Sequence, residues 1–196
     1  MIGGKAGLSL FALFIIILIG CGGIRYSRLA PDAENFHPKK IVALPVYVGP
    51  FEEARDIIDQ VIAGVLIEKG WFADVVAPDT VKGQMQSNDD LRKAVSGYIA
   101  KLRTVNFSDP DLSRKIGEGY HVDAFLVVNL DHWDYTVERE DKIARVGLGL
   151  KLVEAGTGNI IWKACHSIAE DYWLFKPDLP DVAEDVAKKM LDYMPH

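Results

Sequence analysis

The chain has little of what usually announces chemistry. Its 196 residues hold two cysteines, Cys21 and Cys165, too few for a disulfide framework. Basic tracts are missing; runs such as Lys39-Lys40 and Lys188-Lys189 stop at two, and the net charge is −6. A nucleic-acid-binding face, which has to neutralise phosphates, is therefore not expected. Gly147-x-Gly149 lacks a third glycine and a helix start, and Gly156-x-Gly158 sits in a turn, so neither aims backbone N–H groups at a phosphate. No Gly-x-Ser-x-Gly elbow occurs. The histidines, His37, His121, His132, His166 and His196, are scattered singly. The densest polar group is Asp131-His132-Trp133-Asp134, where strand alternation sends Asp131 and Trp133 one way and His132 and Asp134 the other. Cys165 and His166 are neighbours in a strand and face opposite sides, a poor geometry for a thiolate–imidazole pair. Glu52-Glu53 and Asp89-Asp90 stand at helix starts, where dipole and capping roles suffice. No catalytic residue, metal ligand or cofactor is expected.

What is present begins at the N-terminus. Lys5 is the only charge before Arg25, and an apolar run, Leu8 to Ile19, is broken only by Ser9. Twelve residues suit a signal-peptide core and fall short of the roughly 20 that cross a bilayer. An uncleaved anchor from Ala6 to Ile24 is the competing reading, but Gly20, Gly22 and Gly23 break up its end. The run ends in Leu18-Ile19-Gly20-Cys21, which resembles the lipobox of bacterial lipoproteins. A small residue at Gly20 lets a peptidase reach the bond, and the Cys21 thiol accepts a diacylglyceryl group. Each buried methylene contributes about 0.8 kcal/mol, and stable anchoring takes more than one chain. The resemblance implies residues 1–20 as signal peptide, lipid on Cys21 and, from Gly22 after the cysteine, the outer membrane facing the periplasm. Cys165 is then left as an unpaired thiol: either a small strand residue, or a site of intermolecular or redox chemistry.

Residues 21–38 mix Gly, Arg, Ser, Pro and Asp without period and read as a lipidated tether; residues 39–196 read as one globular domain. The β-branched run from Ile41 to Val48 predicts a buried strand, with Pro45 marking an end, an edge or a bulge. Phe51 to Lys69 predicts a helix with its stripe on Ile57, Ile58, Val61, Ile62, Val65 and Leu66 and a capping glycine at Gly70. A strand over Trp71–Ala77 follows. Pro78-Asp79 begins a turn or short helix, Asp89–Val105 a helix capped by Asn88, and Pro110 another short helix. Strands are predicted over 124–137, 142–154 and 160–169, joined by turns at 138–141 and 155–159, where Gly156 and Gly158 are free to take positive φ. A last helix starts at Pro180-Asp181. The fold class is α+β, an α/β sandwich. Its order is β-α-β-α-α-β-β-β-α, with a mixed sheet ending in an antiparallel meander and helices packed on one face.

Alternation assigns faces in the meander. Ala144, Val146, Leu148, Leu150 and Leu152 share one side of their strand, and Arg145, Gly147, Gly149 and Lys151 the other. Ile160, Trp162, Ala164 and Ile168 share a side of the next strand, opposite Ile161, Lys163, Cys165 and Ser167. Gly147 and Gly149 leave the polar side flat, which fits either a bulge or the approach of another chain. Between the last strand and the last helix stand Trp173, Leu174 and Phe175, which either pack over the sheet edge or contact a partner or the membrane.

Two segments carry a resemblance to a known group. One is Lys40-Ile41-Val42-Ala43-Leu44-Pro45-Val46 followed by a helix and Gly70-Trp71-Phe72-Ala73-Asp74-Val75-Val76. The other is Leu150 to Ala164, a long strand, a Thr157-Gly158 turn and a strand with Trp162. Together they resemble bacterial lipoproteins that include the curli-secretion lipoprotein, the Pel polysaccharide export lipoprotein and the lipoprotein activators of penicillin-binding proteins. These share an α/β domain related to the amino-terminal domain of TolB. The resemblance implies non-catalytic envelope assembly, export or regulation through protein contacts, often as a homo-oligomer. An activator of a peptidoglycan synthase is the alternative, but it needs a long linker. Residues 22–38 span at most about 60 Å at roughly 3.5 Å per residue. An enzyme is the third reading.

Overall fold

The computed structural model describes residues 24–31 and 33–196; Leu18, Ile19, Gly20 and Cys21 lie outside them. The helices and strands are β1 (Tyr26–Leu29), β2 (Lys40–Ala43), α1 (Arg55–Lys69), β3 (Asp74–Val76), α2 (Pro78–Ser87), α3 (Asp89–Thr104), α4 (Pro110–Tyr120), β4 (Ala124–Glu138), β5 (Asp141–Glu154), β6 (Ile160–Tyr172) and α5 (Leu179–Leu191). The expected order holds, with two additions: β1 at the start and α2 at Pro78. One mixed sheet runs β1-β6-β5-β4-β2-β3, parallel from β4 through β2 to β3 and antiparallel elsewhere.

Local chemistry places the helix ends. Gly70 takes φ +63° at the C-terminus of α1. The Asn88 side chain accepts the Leu91 N–H to start α3, and Asp109 accepts from Asp111 and Leu112 ahead of Pro110 to start α4. Pro45 ends the β2 ladder early, yet Leu44 and Tyr47 N–H still donate to Leu126 and Val128 carbonyls. Of the two turn glycines, Gly158 alone has positive φ, at +77°.

The helices do not share one face. Ile41 packs with α1 and α5, while Val42, its neighbour in β2, packs with Val81 of α2 and with α3 and α4. The reason is topological. The crossover β2–α1–β3 runs one way across the sheet and β3–α2–α3–α4–β4 runs back past β2. Crossovers of one hand that run in opposite directions put their helices on opposite faces. Both residues are fully buried, as parallel strands usually are. On the second face α4 comes very close: a Cβ on Gly117 would stand 2.6 Å from that of Ala155.

The sheet also begins earlier than the sequence suggests. Four residues from the stretch read as tether pair with β6, Tyr26 opposite Cys165 and Leu29 opposite Trp162. The Trp162 indole is fully buried and donates to Ser27 Oγ at 2.9 Å, which pins β1 to its neighbour.

Candidate interaction surfaces

Helix cover on the second face stops where the strands change character. Over Phe125, Val127 and Val153 the sheet is apolar and α3 and α4 lie on it. Two to four residues further along β4 and β5 stand Asn129, Lys151 and Gly149, and the cover ends. The register lines up two rows there. Val127, Lys151, Lys163 and Arg28 lie side by side across β4, β5, β6 and β1; beside them run Asn129, Gly149, Cys165 and Tyr26. With Arg103 and Leu102 of α3 and with Asp131, all of these but Arg28 line a cavity of about 270 Å³. The Arg103 guanidinium is held 3.1 Å above the Tyr47 ring. Burial lowers the Lys151 pKa, and the neighbouring Lys163 charge lowers it further.

The two glycines of this face part company. Gly147 is buried under His132, whose ring carbon would lie 2.9 Å from a Cβ at that position. Gly149 is open to the cavity. A β-bulge in β4 between Leu130 and His132 separates them. The bulge also corrects the faces expected for Asp131 to Asp134. Asp131 and His132 both turn to the polar side, over Gly149 and Gly147, and Trp133 turns to the core. Asp134 pairs with Arg145 at 3.0 Å. A second irregularity, at Leu152/Val153, puts Ile160 opposite Val153 on the second face and turns Ile161 to the first, the reverse of strict alternation. Cys165 is half-buried in the cavity wall, while His166 faces the other side and its Nδ1 accepts the Arg25 N–H at 3.3 Å.

The aromatic segment forms the other surface. Tyr172, at the end of β6, packs edge-on against Tyr135, with ring centroids 6.1 Å apart. After the loop, Lys176 sits over the same Tyr135 ring, and the Pro177 carbonyl accepts the Tyr135 O–H at 2.8 Å. The loop is thus held on both sides and bare between them: Trp173, Leu174 and Phe175 are 85%, 75% and 89% exposed. Exposed Val137 lies in the same cross-strand row as Tyr172. The segment does not pack over the sheet edge.

Sequence reasoning had both lysines on the polar side of their strands, but it did not bring them together. The signal was there: counting outward from the 155–159 turn places Lys151 and Lys163 opposite each other. Arg103 and Tyr26 carried no such signal, since only tertiary packing brings α3 and β1 to that place.

No known family pattern matches the chain, and no curated protein matches it in sequence. Solved structures do. A PelC dodecamer from Paraburkholderia phytofirmans is similar over 87% of this chain and 95% of its own, with 15% identity and a TM-score of 0.53. Lipoprotein GNA1162 from Neisseria meningitidis is similar over 78% of this chain and 98% of its own, with 15% identity and a TM-score of 0.53. Hypothetical protein CT253 from Chlamydia trachomatis reaches a TM-score of 0.55 at 8% identity, over 78% of this chain and 93% of its own. What this chain has in common with a dodecamer-forming protein and with a lipoprotein is the fold.

Proposed function

We propose that this is a lipid-anchored protein of the bacterial envelope, in the periplasm at the outer membrane, that works without catalysis through protein contacts in assembly or export. The observation that carries the reading is the place of the aromatic loop. β1 runs antiparallel to β6, so the chain on the N-terminal side of Tyr26 leads toward the end of the sheet where β6 runs into Trp173. Cys21 stands four residues before Arg25, whose N–H is bound to His166. That stretch reaches at most about 14 Å. Acyl chains on Cys21 would hold the domain against the bilayer with Trp173, Leu174 and Phe175 at the same end. Lipid attachment raises the local concentration of copies, so modest contacts between them become productive. The fold shared with a dodecamer supports a homo-oligomer, and the fold shared with a lipoprotein supports the anchor.

The peptidoglycan-synthase reading weakens on the same geometry. A tether of 17 residues was already short; with β1 on the sheet, Cys21 is within about 17 Å of Tyr26, too little to cross the cell-wall mesh. Among the described residues no helix is long and apolar enough to cross a membrane.

Two variants test the proposal. Cys21→Ser is expected to leave an unprocessed precursor that takes up no labelled acyl chain; a product of mature size in its normal place would end the lipoprotein reading. Trp173→Ser with Phe175→Ser is expected to stay lipidated but to lose self-crosslinking in cells. Crosslinked products at the original level would remove the loop from the contact.

A further inference from the structure

The cationic row on the open face is hard to explain as structure alone. Lys151 lies directly opposite Lys163, and Lys163 directly opposite Arg28, on three adjacent strands. Like charges paired across strands lower stability. Acidic residues outnumber Lys and Arg in this chain, 28 to 22, so carboxylates are plentiful. Yet among the described residues no carboxylate forms an ion pair with Lys151, Lys163, Arg28 or Arg103. Lys40, Lys82 and Lys101, by contrast, each hold one, and Arg145 and Lys188 each hold two.

Lys151 and Lys163 of this row also line a concavity. Gly149, beside Lys151, leaves the floor without a side chain, and Val127 and Leu102 wall one side of a space of about 270 Å³. The guanidinium of Arg103 is fixed at the rim by its stacking on Tyr47. We propose that this cavity binds a phosphate monoester, with Lys151 and Lys163 on its oxygens from below and Arg103 from the rim. Charge matches the ligand class. Three cations and the Asp131 carboxylate leave two positive charges, and a phosphate monoester carries about −1.5 to −2 at neutral pH. A single carboxylate would leave a positive excess. Ammonium groups act as point charges on phosphate, and a planar guanidinium adds a bidentate contact. The volume lies below the roughly 300–1,000 Å³ of drug-sized sites, which suits a phosphate on a three-carbon body. Burial of Lys151 beside another cation disfavours its charge in the empty cavity, and an arriving anion removes that penalty. The proposal does not depend on lipidation. The same phosphate chemistry is offered by a small soluble ester or by the headgroup of phosphatidic acid.

The test uses the full chain in detergent, titrated with sn-glycerol 3-phosphate by calorimetry while Cys165 is probed by iodoacetamide and peptide mapping. Saturable binding is expected, with slower alkylation of Cys165 in the cavity wall. Lys163→Gln is expected to weaken binding about tenfold or more and, by relieving repulsion, to leave the melting temperature unchanged or higher. Lys151→Arg should retain most of the affinity, and Lys142→Gln, outside the cavity, should retain all of it. Vesicles of phosphatidic acid in phosphatidylcholine form the second arm. Lys163-dependent sedimentation with them assigns the ligand to the lipid headgroup, and binding of the soluble ester alone assigns it to a solute. Binding in neither arm, binding indifferent to Lys163→Gln, or acetate binding as tightly as the phosphate ester would overturn the proposal. So would a fall in melting temperature with Lys163→Gln at unchanged affinity, which marks the row as structural.

Discussion

The two ends of the β4–β5–β6 meander are built on different terms. At the near end Phe125, Val153 and Ile160 meet α3 and α4 on one face, while Leu126, Leu152 and Trp162 face α1 and α5 on the other. At the far end the first face keeps its cover from α5 and Pro177, and the second is left to Gly149, Lys151, Arg145 and Asp134. The near end is a core; the far end is half a core and half a surface. The same three strands make both, so the change lies in their side chains. Once the residues on the second face turn polar, a covering helix would bury unpaired charge, and its cover stops. Stability and interaction are thereby separated along one set of strands.

That separation predicts a graded response to mutation. Phe125 is fully buried and meets Tyr98 edge-on, with centroids 5.0 Å apart. Phe125→Ala is expected to cost about 3–5 kcal/mol in denaturant melts. A loss of under 1 kcal/mol would show that the near end is not the core described here.

Edge pairing comes next. Ser27→Ala leaves the buried Trp162 N–H without its acceptor and should cost about 1 kcal/mol. Removing residues 1–38 should do more than removing 1–23, because it strips β1 from the edge of β6. Equal melting temperatures for the two truncations would return β1 to the tether.

A smaller effect tests a carboxyl buried on α1, beside the chain that leaves β2. Asp59 accepts the Val46 N–H at 2.9 Å and is buried, and desolvation raises its pKa. Between its unfolded and folded values the folded chain holds a proton that the unfolded chain has lost, so stability falls as pH rises through that window and stays reduced above it. Asp59→Asn keeps an acceptor for Val46. It should melt higher than the parent at neutral pH, and the gain should vanish once the pH drops below the unfolded carboxylate's range. A lower melting temperature at neutral pH would mean that the charged form is favoured.

The smallest stability effect belongs to the far end. Trp173→Ser with Phe175→Ser should shift stability by no more than about 0.5 kcal/mol, because both rings are already exposed. A large loss would place them in a core and dissolve the contrast between the two ends.

Much of this fold is legible in the sequence, and particular residues show why. The α1 stripe, the Gly70 and Asn88 caps and the inward side of β5 all follow from local periodicity and backbone chemistry. β1 was not readable, because all four of its residues are exposed and its pairing rests on backbone hydrogen bonds that leave no hydrophobic alternation. The faces of Asp131 and Ile161 were misread because each falls at a bulge, where one extra residue reverses the alternation. Of the candidate surface residues, Gly149 and the 173–175 loop stood out in the sequence. The cavity did not, since its walls come from β1, α3, β4, β5 and β6.

The sequence by itself determined most of the elements, their order and the inward side of β5, because each depends on residues within a few positions of one another. Only the tertiary structure decided which face each helix covers, that Gly147 is shielded while Gly149 is open, and that Lys151, Lys163 and Arg103 meet over one cavity. Those outcomes depend on crossover direction, on two one-residue register shifts and on the point where helix cover ends, and these are settled by packing between segments far apart in the chain.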